Sequence, residues 1–133
     1  MTRTVMTFGT FDVFHVGHLR VIQRAAEFGD RLVVGVSADA LNVSKKGRAP
    51  VFSEAERLEI VAALKPVDAV FIEESLELKR MYLTEHRADV LVMGDDWAGR
   101  FDEFKDICEV HYLPRTPAIS TTALIEKISS GPA

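Results

Sequence analysis

Cysteine is almost missing from these 133 residues: Cys108 stands alone, which rules out an internal disulfide and leads us to expect a reduced, cytosolic setting. Long apolar runs are missing too. None approaches the ~20 residues of a membrane span, and the N-terminus has no signal-peptide h-region, so no membrane partner is expected. Positive charge is not in excess either. The formal net charge of −4 argues against general nucleic-acid binding. No repeat, low-complexity tract or linker divides the chain. With 47% hydrophobic and 27% charged residues it reads as one α/β-sized domain over 1–133, with 129–133 as a loose tail. Such a length buries roughly two thirds of the unfolded surface.

What is present is an alternation. Thr4 to Phe8 is β-branched and apolar enough for a buried first strand. Leu19, Ile22, Ala25 and Ala26 recur at helical spacing, and Gly29 offers a C′ stop. Leu32 to Val36 is a continuous apolar run, as expected of a strand covered on both faces. Ala38 to Phe52 is polar and contains Gly47 and Pro50, so it reads as a mobile loop. Ser53 and Glu56 form an S-x-x-E capping box for a helix to about Leu64, stopped by Pro66. A third strand at Ala69 to Ile72, a helix at Ser75 to His86 and a fourth strand at Val90 to Met93 follow. A short helix near Phe101 to Ile107 and a fifth strand at Val110 to Leu113 come next. Ser120, Thr121 and Thr122 then offer N-caps for a last helix to about Ile128.

Strands alternating with helices predict a Rossmann-like, doubly wound parallel sheet of five strands with helices on both faces. Ligands of such sheets sit beyond the carboxyl ends of the strands. Three polar clusters lie directly after strands one, four and five: Thr10 to His18, Gly94 to Trp97, and Arg115 to Thr122. In the order 3-2-1-4-5 those ends are neighbours, which predicts one site.

Its centre is Phe8-Gly9-Thr10-Phe11-Asp12-Val13-Phe14-His15-Val16-Gly17-His18, read as strand, tight turn and helix start. Helix N-termini present unpaired N–H groups and partial positive charge, so this corner suits a phosphate chain. His15 and His18, three apart, lie on one face of the first turn and aim at one anion. A metal site is the rival reading, but no cysteine or HExxH-like partner accompanies the pair. Two histidines that merely cap a turn are the other. Gly17 between them favours phosphate by permitting close backbone approach. Arg115 before a hydroxyl-rich helix start adds a second way to hold phosphate oxygens. Lys45, Lys46 and Arg48 either greet an anion or are simply solvated, and Arg57 and Lys65 are equally open from spacing alone. Asp95-Asp96 reads as a turn, a base contact or a metal ligand, and Trp97 as core or rim.

These pieces resemble the nucleotidyltransferases marked by H-x-G-H and, more narrowly, the bacterial glycerol-3-phosphate cytidylyltransferases. The resemblance rests on G-T-F-D-V-F-H-V-G-H (Gly9 to His18), V-M-G-D-D-W with G-R-F-D (Val92 to Asp102), and Y-L-P-R-T-P-A-I-S-T-T (Tyr112 to Thr122). It implies that Gly9, Thr10, Phe11, His15, Gly17, His18, Arg48, Asp95, Arg115, Thr116, Ile119, Ser120, Thr121 and Thr122 bind CTP. It also implies that Lys46, Lys79, Asp95 and Trp97 meet glycerol 3-phosphate, with Lys46-Gly47-Arg48 standing for the family's K-x-K loop. Three positions depart from the family pattern: Lys65 for an arginine, Leu76 for a tryptophan and Ala118 for a glycine.

The expected reaction is direct in-line attack of the acceptor phosphate on the α-phosphate of CTP, giving CDP-glycerol and pyrophosphate. His15 and His18 stabilise the transferring phosphate, and Lys46, Arg57 and Arg115 neutralise charge. Mg²⁺ is expected on the CTP phosphates, without a dedicated protein metal site. The resemblance further implies a homodimer serving teichoic-acid or related polymer synthesis in a bacterial cytoplasm. The alternatives are another polyol phosphate, an amino-alcohol phosphate, an FMN adenylyltransferase, or a non-catalytic nucleotide sensor.

Overall fold

A computed structural model describes residues 2–114 and 120–130. Its centre is a parallel sheet of β1 (Thr4–Gly9), β2 (Arg31–Ser37), β3 (Ala69–Glu73), β4 (Val90–Gly94) and β5 (Glu109–Leu113), in the order β3-β2-β1-β4-β5. The apolar runs make this sheet because both its faces are covered. Val5, Leu32, Val34, Val36, Val90 and Val92 point to one side, while Met6, Phe8, Val33, Leu91 and Met93 point to the other. That period of two along every strand is the pleat itself.

The first face is covered by α1 (Val16–Ala26), through Ile22 and Ala25, and by α3 (Glu54–Ala62), through Val61. Ser53 caps α3 as expected, its hydroxyl accepting from Glu56 N at 3.3 Å. The second face is covered by α4 (Lys79–Glu85), through Tyr82 and Leu83, and by a 3₁₀ turn at Asp102–Asp106, through Phe104. The last helix, α5 (Thr121–Ser129), is capped by Ser120, whose hydroxyl accepts from Ala123 N. Ser129 therefore still belongs to a helix, and 131–133 lie outside the described residues.

Several local expectations are corrected. The stretch read as a mobile loop contains α2 (Asp39–Lys46), closed by Gly47 in the left-handed conformation at φ 76°. Leu41 and Asn42 anchor it, too few apolar positions to mark a helix in sequence. Gly29 is not a left-handed stop, since α1 ends at Ala26 and Gly29 is absent from the positive-φ residues. It is small because a Cβ there would lie 2.4 Å from the Arg3 carbonyl oxygen, which accepts from Asp30 N and Arg31 N. The helix expected over Ser75–His86 begins as a 3₁₀ turn at Leu76–Leu78, and Met81, expected on its apolar side, is exposed. The tighter turn changes the angular phase of the residues after it.

Candidate active site

The site grows from the turn between β1 and α1. Phe11 and Val13 hold left-handed backbone at φ 55° and 49°, which costs most at the β-branched Val13. Between them the Asp12 carboxylate accepts from Val13 N, Val51 N and Phe52 N at 3.1, 2.7 and 2.9 Å. One side chain thus holds the strained turn and ties it to the segment leading into α3. Strain concentrated here is compensated by these bonds.

The turn delivers two imidazoles. His15 is the N-cap of α1, its Nδ1 accepting from Gly17 N at 3.0 Å, while His18 Nδ1 accepts from His15 N at 3.2 Å. This is a capping box built from histidines, with the rings stacked 3.8 Å apart between centroids. With each Nδ1 accepting, each neutral ring carries its proton on Nε2. Both Nε2 atoms stand 3.4 Å from Thr121 Oγ1, whose proton goes to the Asp12 carbonyl oxygen at 3.1 Å. Two N–H donors therefore converge on one point at the start of α5. Burial pushes both rings below the usual histidine range, His18 to about 4, with His15 and Lys46 lowering it further and Asp12 opposing. At neutral pH the pair acts as uncharged hydrogen-bond donors.

Around this point opens a cleft of about 610 Å³ at the carboxyl edge of the sheet. Gly9, Thr10, Phe11, His15, Gly17, His18, Lys46, Arg48, Lys79, Asp95, Trp97, Ser120, Thr121 and Thr122 all line it. Arg115, Thr116 and Ile119, and with them Ala118, lie outside the described residues. Arg57 does not line the cleft, which corrects its expected contact with phosphate. It is 0% exposed, and its guanidinium donates to Phe52 O, Thr10 O, Ser37 O and Asp39 Oδ1 at 2.9, 2.9, 2.7 and 2.7 Å. A guanidinium whose donors are committed this way braces β1, β2, α2 and α3. Lys65, its expected companion, is exposed beyond the end of α3.

The basic segment is also rearranged. Lys45, marked in the sequence only as one member of a basic cluster, is half-buried in the wall with its Nζ 5.9 Å from the Trp97 ring centroid. Burial lowers its pKa and Glu73 opposes the shift. Lys46 and Arg48 are exposed at the rim. Lys45 lies four residues after the buried Leu41, while Lys46 is the last residue of the helix. Asn42, on the same inner side, accepts from Thr10 Oγ1 at 2.8 Å. Reading the segment as coil hid both.

The floor on the opposite face of the sheet holds Glu73 and Lys79, each 1% exposed, with Nζ and Oε2 2.7 Å apart. Lys79 Nζ lies over Phe8 at 3.8 Å and Phe101 at 4.9 Å. Gly35 makes room for this arrangement: a Cβ there would fall 2.5 Å from Phe8 Cδ2. Among the described residues no group of three or more His, Cys, Asp or Glu side chains stands ready to hold a metal ion. No helix among them is long and apolar enough to cross a membrane.

Comparison with known proteins gives the arrangement its context. Residues 6–127 match the family model described as cytidylyltransferase-like. The glycerol-3-phosphate cytidylyltransferase of Bacillus subtilis is 46% identical over 127 residues, covering 96% of this chain and 98% of the relative. That of Staphylococcus aureus is 38% identical over 126 residues, covering 95% of each. Among solved structures, the lipopolysaccharide core biosynthesis protein of Thermoplasma volcanium superposes with a TM-score of 0.74 at 25% identity, over 87% of this chain and 99% of that one.

Proposed function

The chain belongs to the cytidylyltransferase-like family, and from that premise we propose that it joins CTP to glycerol 3-phosphate, giving CDP-glycerol and pyrophosphate. The near full-length likeness to glycerol-3-phosphate cytidylyltransferases supports the choice of both substrates. The observation that carries the chemistry is the convergence of His15 and His18 Nε2 on one point beside the start of α5.

An acceptor phosphate oxygen attacks the α-phosphorus of CTP, the bond to the bridging oxygen of the β-phosphate breaks, and pyrophosphate leaves. The attacking oxygen is ionised at neutral pH, so no general base is needed, and no covalent intermediate forms. What the site supplies is alignment and fixed donors where negative charge accumulates. Neutral imidazoles suit this role, since each offers one N–H in an orientation set by its Nδ1 bond. The Ser120–Thr122 helix start adds backbone donors, and the contact of Thr121 Oγ1 with both rings supports a phosphate oxygen binding beside them. Lys45, Lys46 and Arg48 bring positive charge from α2 and the segment after it. The family resemblance assigns Arg115, Thr116 and Ile119, outside the described residues, to CTP binding as well. Gly9, Thr10, Phe11 and Gly17 line the nucleotide side of the cleft, and Asp95 and Trp97 close the side nearest the base and acceptor.

A divalent cation has no protein-built cage among the described residues. Were a divalent cation such as Mg²⁺ bound, the CTP phosphates would hold it and it would offset their charge. Homodimer assembly, a cytoplasmic location and supply of a teichoic-acid-like polymer complete the reading. They are carried by likeness to the family.

The test is pyrophosphate release over CTP and ATP with a panel of phosphorylated alcohols. Turnover with CTP and glycerol 3-phosphate is expected to exceed every other pair. Preference for ATP, or CTP binding without pyrophosphate release from any acceptor, overturns the proposal.

A further inference from the structure

The cleft has two chemically different ends. Around the imidazoles it is lined by donors: Nε2–H groups, helix-start amides and basic side chains. At the other end, where β2 and β3 finish, lies a buried carboxylate. Phosphates need donors, whereas the hydroxyls of an alcohol also need an acceptor. The supply of acceptors is narrow. Asp12 is committed to three backbone N–H groups, and Asn42 Oδ1 accepts from Thr10. Asp95 and Asp96 are exposed at the rim, where water competes. Among the described carboxylates lining the cleft, Glu73 is the buried one not committed to backbone N–H groups.

Its environment specifies what it accepts from. Oε1 stands 3.4 Å from Ser37 Oγ. Oε2 is held by Lys79 Nζ in a charge-assisted contact at 2.7 Å, and no second partner reaches it among the described residues. A buried carboxylate oxygen so placed keeps lone-pair capacity for a ligand hydroxyl. The Glu73–Lys79 pair carries no net charge of its own. It does not suit a cationic tail. The aromatic faces of Phe8 and Phe101 that would hold an ammonium are already covered by Lys79, and Lys45 adds a second positive charge in reach of Glu73. A neutral tail bearing hydroxyls fits on every count.

We propose that Glu73, braced by Lys79 and Ser37, accepts hydrogen bonds from the free hydroxyls of the acceptor and makes the site selective for a polyol phosphate over deoxy and amino-alcohol phosphates. This rests on the cytidylyl-transfer reading above and assigns Glu73 as a specificity-determining residue within it. A site built to receive a hydroxyl rejects the analogue lacking it, because its buried acceptor is then left bare.

The experiment measures kcat/KM at saturating CTP for glycerol 3-phosphate, propyl phosphate and phosphoethanolamine, in the natural chain and in Glu73→Gln. In the natural chain, propyl phosphate and phosphoethanolamine are expected to fall roughly 10- to 100-fold below glycerol 3-phosphate, mostly through KM. In Glu73→Gln the gap to propyl phosphate is expected to shrink to within about 3-fold. Equal use of glycerol 3-phosphate and propyl phosphate by the natural chain overturns the proposal, whether or not the variant folds. So does a Glu73→Gln variant that loses activity on both equally and leaves their ratio unchanged, the signature of a purely structural ion pair. Pyrophosphate release from CTP with all acceptors alike would refute this inference while leaving cytidylyl transfer standing. No release with any acceptor refutes both.

Discussion

Replacing His18 by alanine and, separately, by asparagine divides what the imidazole does for the fold from what it does for the reaction. Alanine removes three things at once: the acceptor for His15 N at 3.2 Å, the ring stacked on His15 at 3.8 Å, and the Nε2 donor at 3.4 Å from Thr121. Loss of the cap costs about 1 kcal/mol. Loss of the stacked pair costs about 1 kcal/mol more. For a chain of this size that sum lowers Tm by roughly 6–8 °C, so the alanine variant still folds. Turnover is another matter, because one charge-stabilising donor is typically worth roughly 10²–10³ in kcat. Asparagine places Oδ1 where Nδ1 was, restoring the cap, but offers nothing at the Nε2 position. We therefore expect His18→Asn to recover about half of the lost stability while its kcat stays within about threefold of the alanine variant. Calorimetry and steady-state pyrophosphate release read the two effects. A fall in kcat of less than about tenfold in both variants would refute the assignment of a transition-state donor to His18.

Protonation supplies a second prediction. The unfolded histidine binds a proton near pH 6.5 and folded His18 only near 4, so in this window the unfolded state holds more protons and stability rises with pH. The gain is at most about 3 kcal/mol, complete above pH 6.5 and lost as pH falls to 4. Urea titrations across that window should show the rise and then a plateau, and it should be smaller in His18→Asn. Removing the buried brace in Arg57→Met leaves Asp39 and three carbonyl oxygens without their donor, and should destabilise by about 3 kcal/mol or more in urea. Gly35→Ala drives a methyl group to 2.5 Å from Phe8 and should cost about 1–3 kcal/mol. Because Lys79 rests on that ring, KM for the acceptor should rise more than KM for CTP. Equal rises would count against the placing of the acceptor beside the Glu73–Lys79 pair.

The sheet was legible because burial on both faces demands continuous apolar runs, as at Leu32 to Val36, and because serines mark helix starts, as at Ser53 and Ser120. The helix start at the first turn was legible for a related reason: a short apolar strand followed by a glycine-containing turn and a periodic segment marks it, although the histidine capping box there carries no sequence signature of its own. Arg57 was not. A guanidinium committed to carbonyl oxygens and one aimed at a phosphate look alike in a sequence, and only its partners tell them apart. The separate place of Lys45 escaped because α2 carries little apolar signal, and a coil gives no wall for a lysine to join. Glu73 escaped for the opposite reason. It ends an apolar strand, where an acidic residue reads as the start of a loop, and its partner Lys79 lies on a separate helix.

The central claim is that His15 and His18 present two neutral Nε2–H donors to the phosphates of CTP. A crystal structure of the CTP complex tests it most directly. Both Nε2 atoms are expected within about 2.7–3.2 Å of phosphate oxygens, with the Nδ1 bonds to Gly17 N and His15 N intact and Thr121 Oγ1 displaced from beside the two Nε2 atoms. Phosphates seated elsewhere in the cleft, with the imidazoles turned away or bound to zinc, would contradict it.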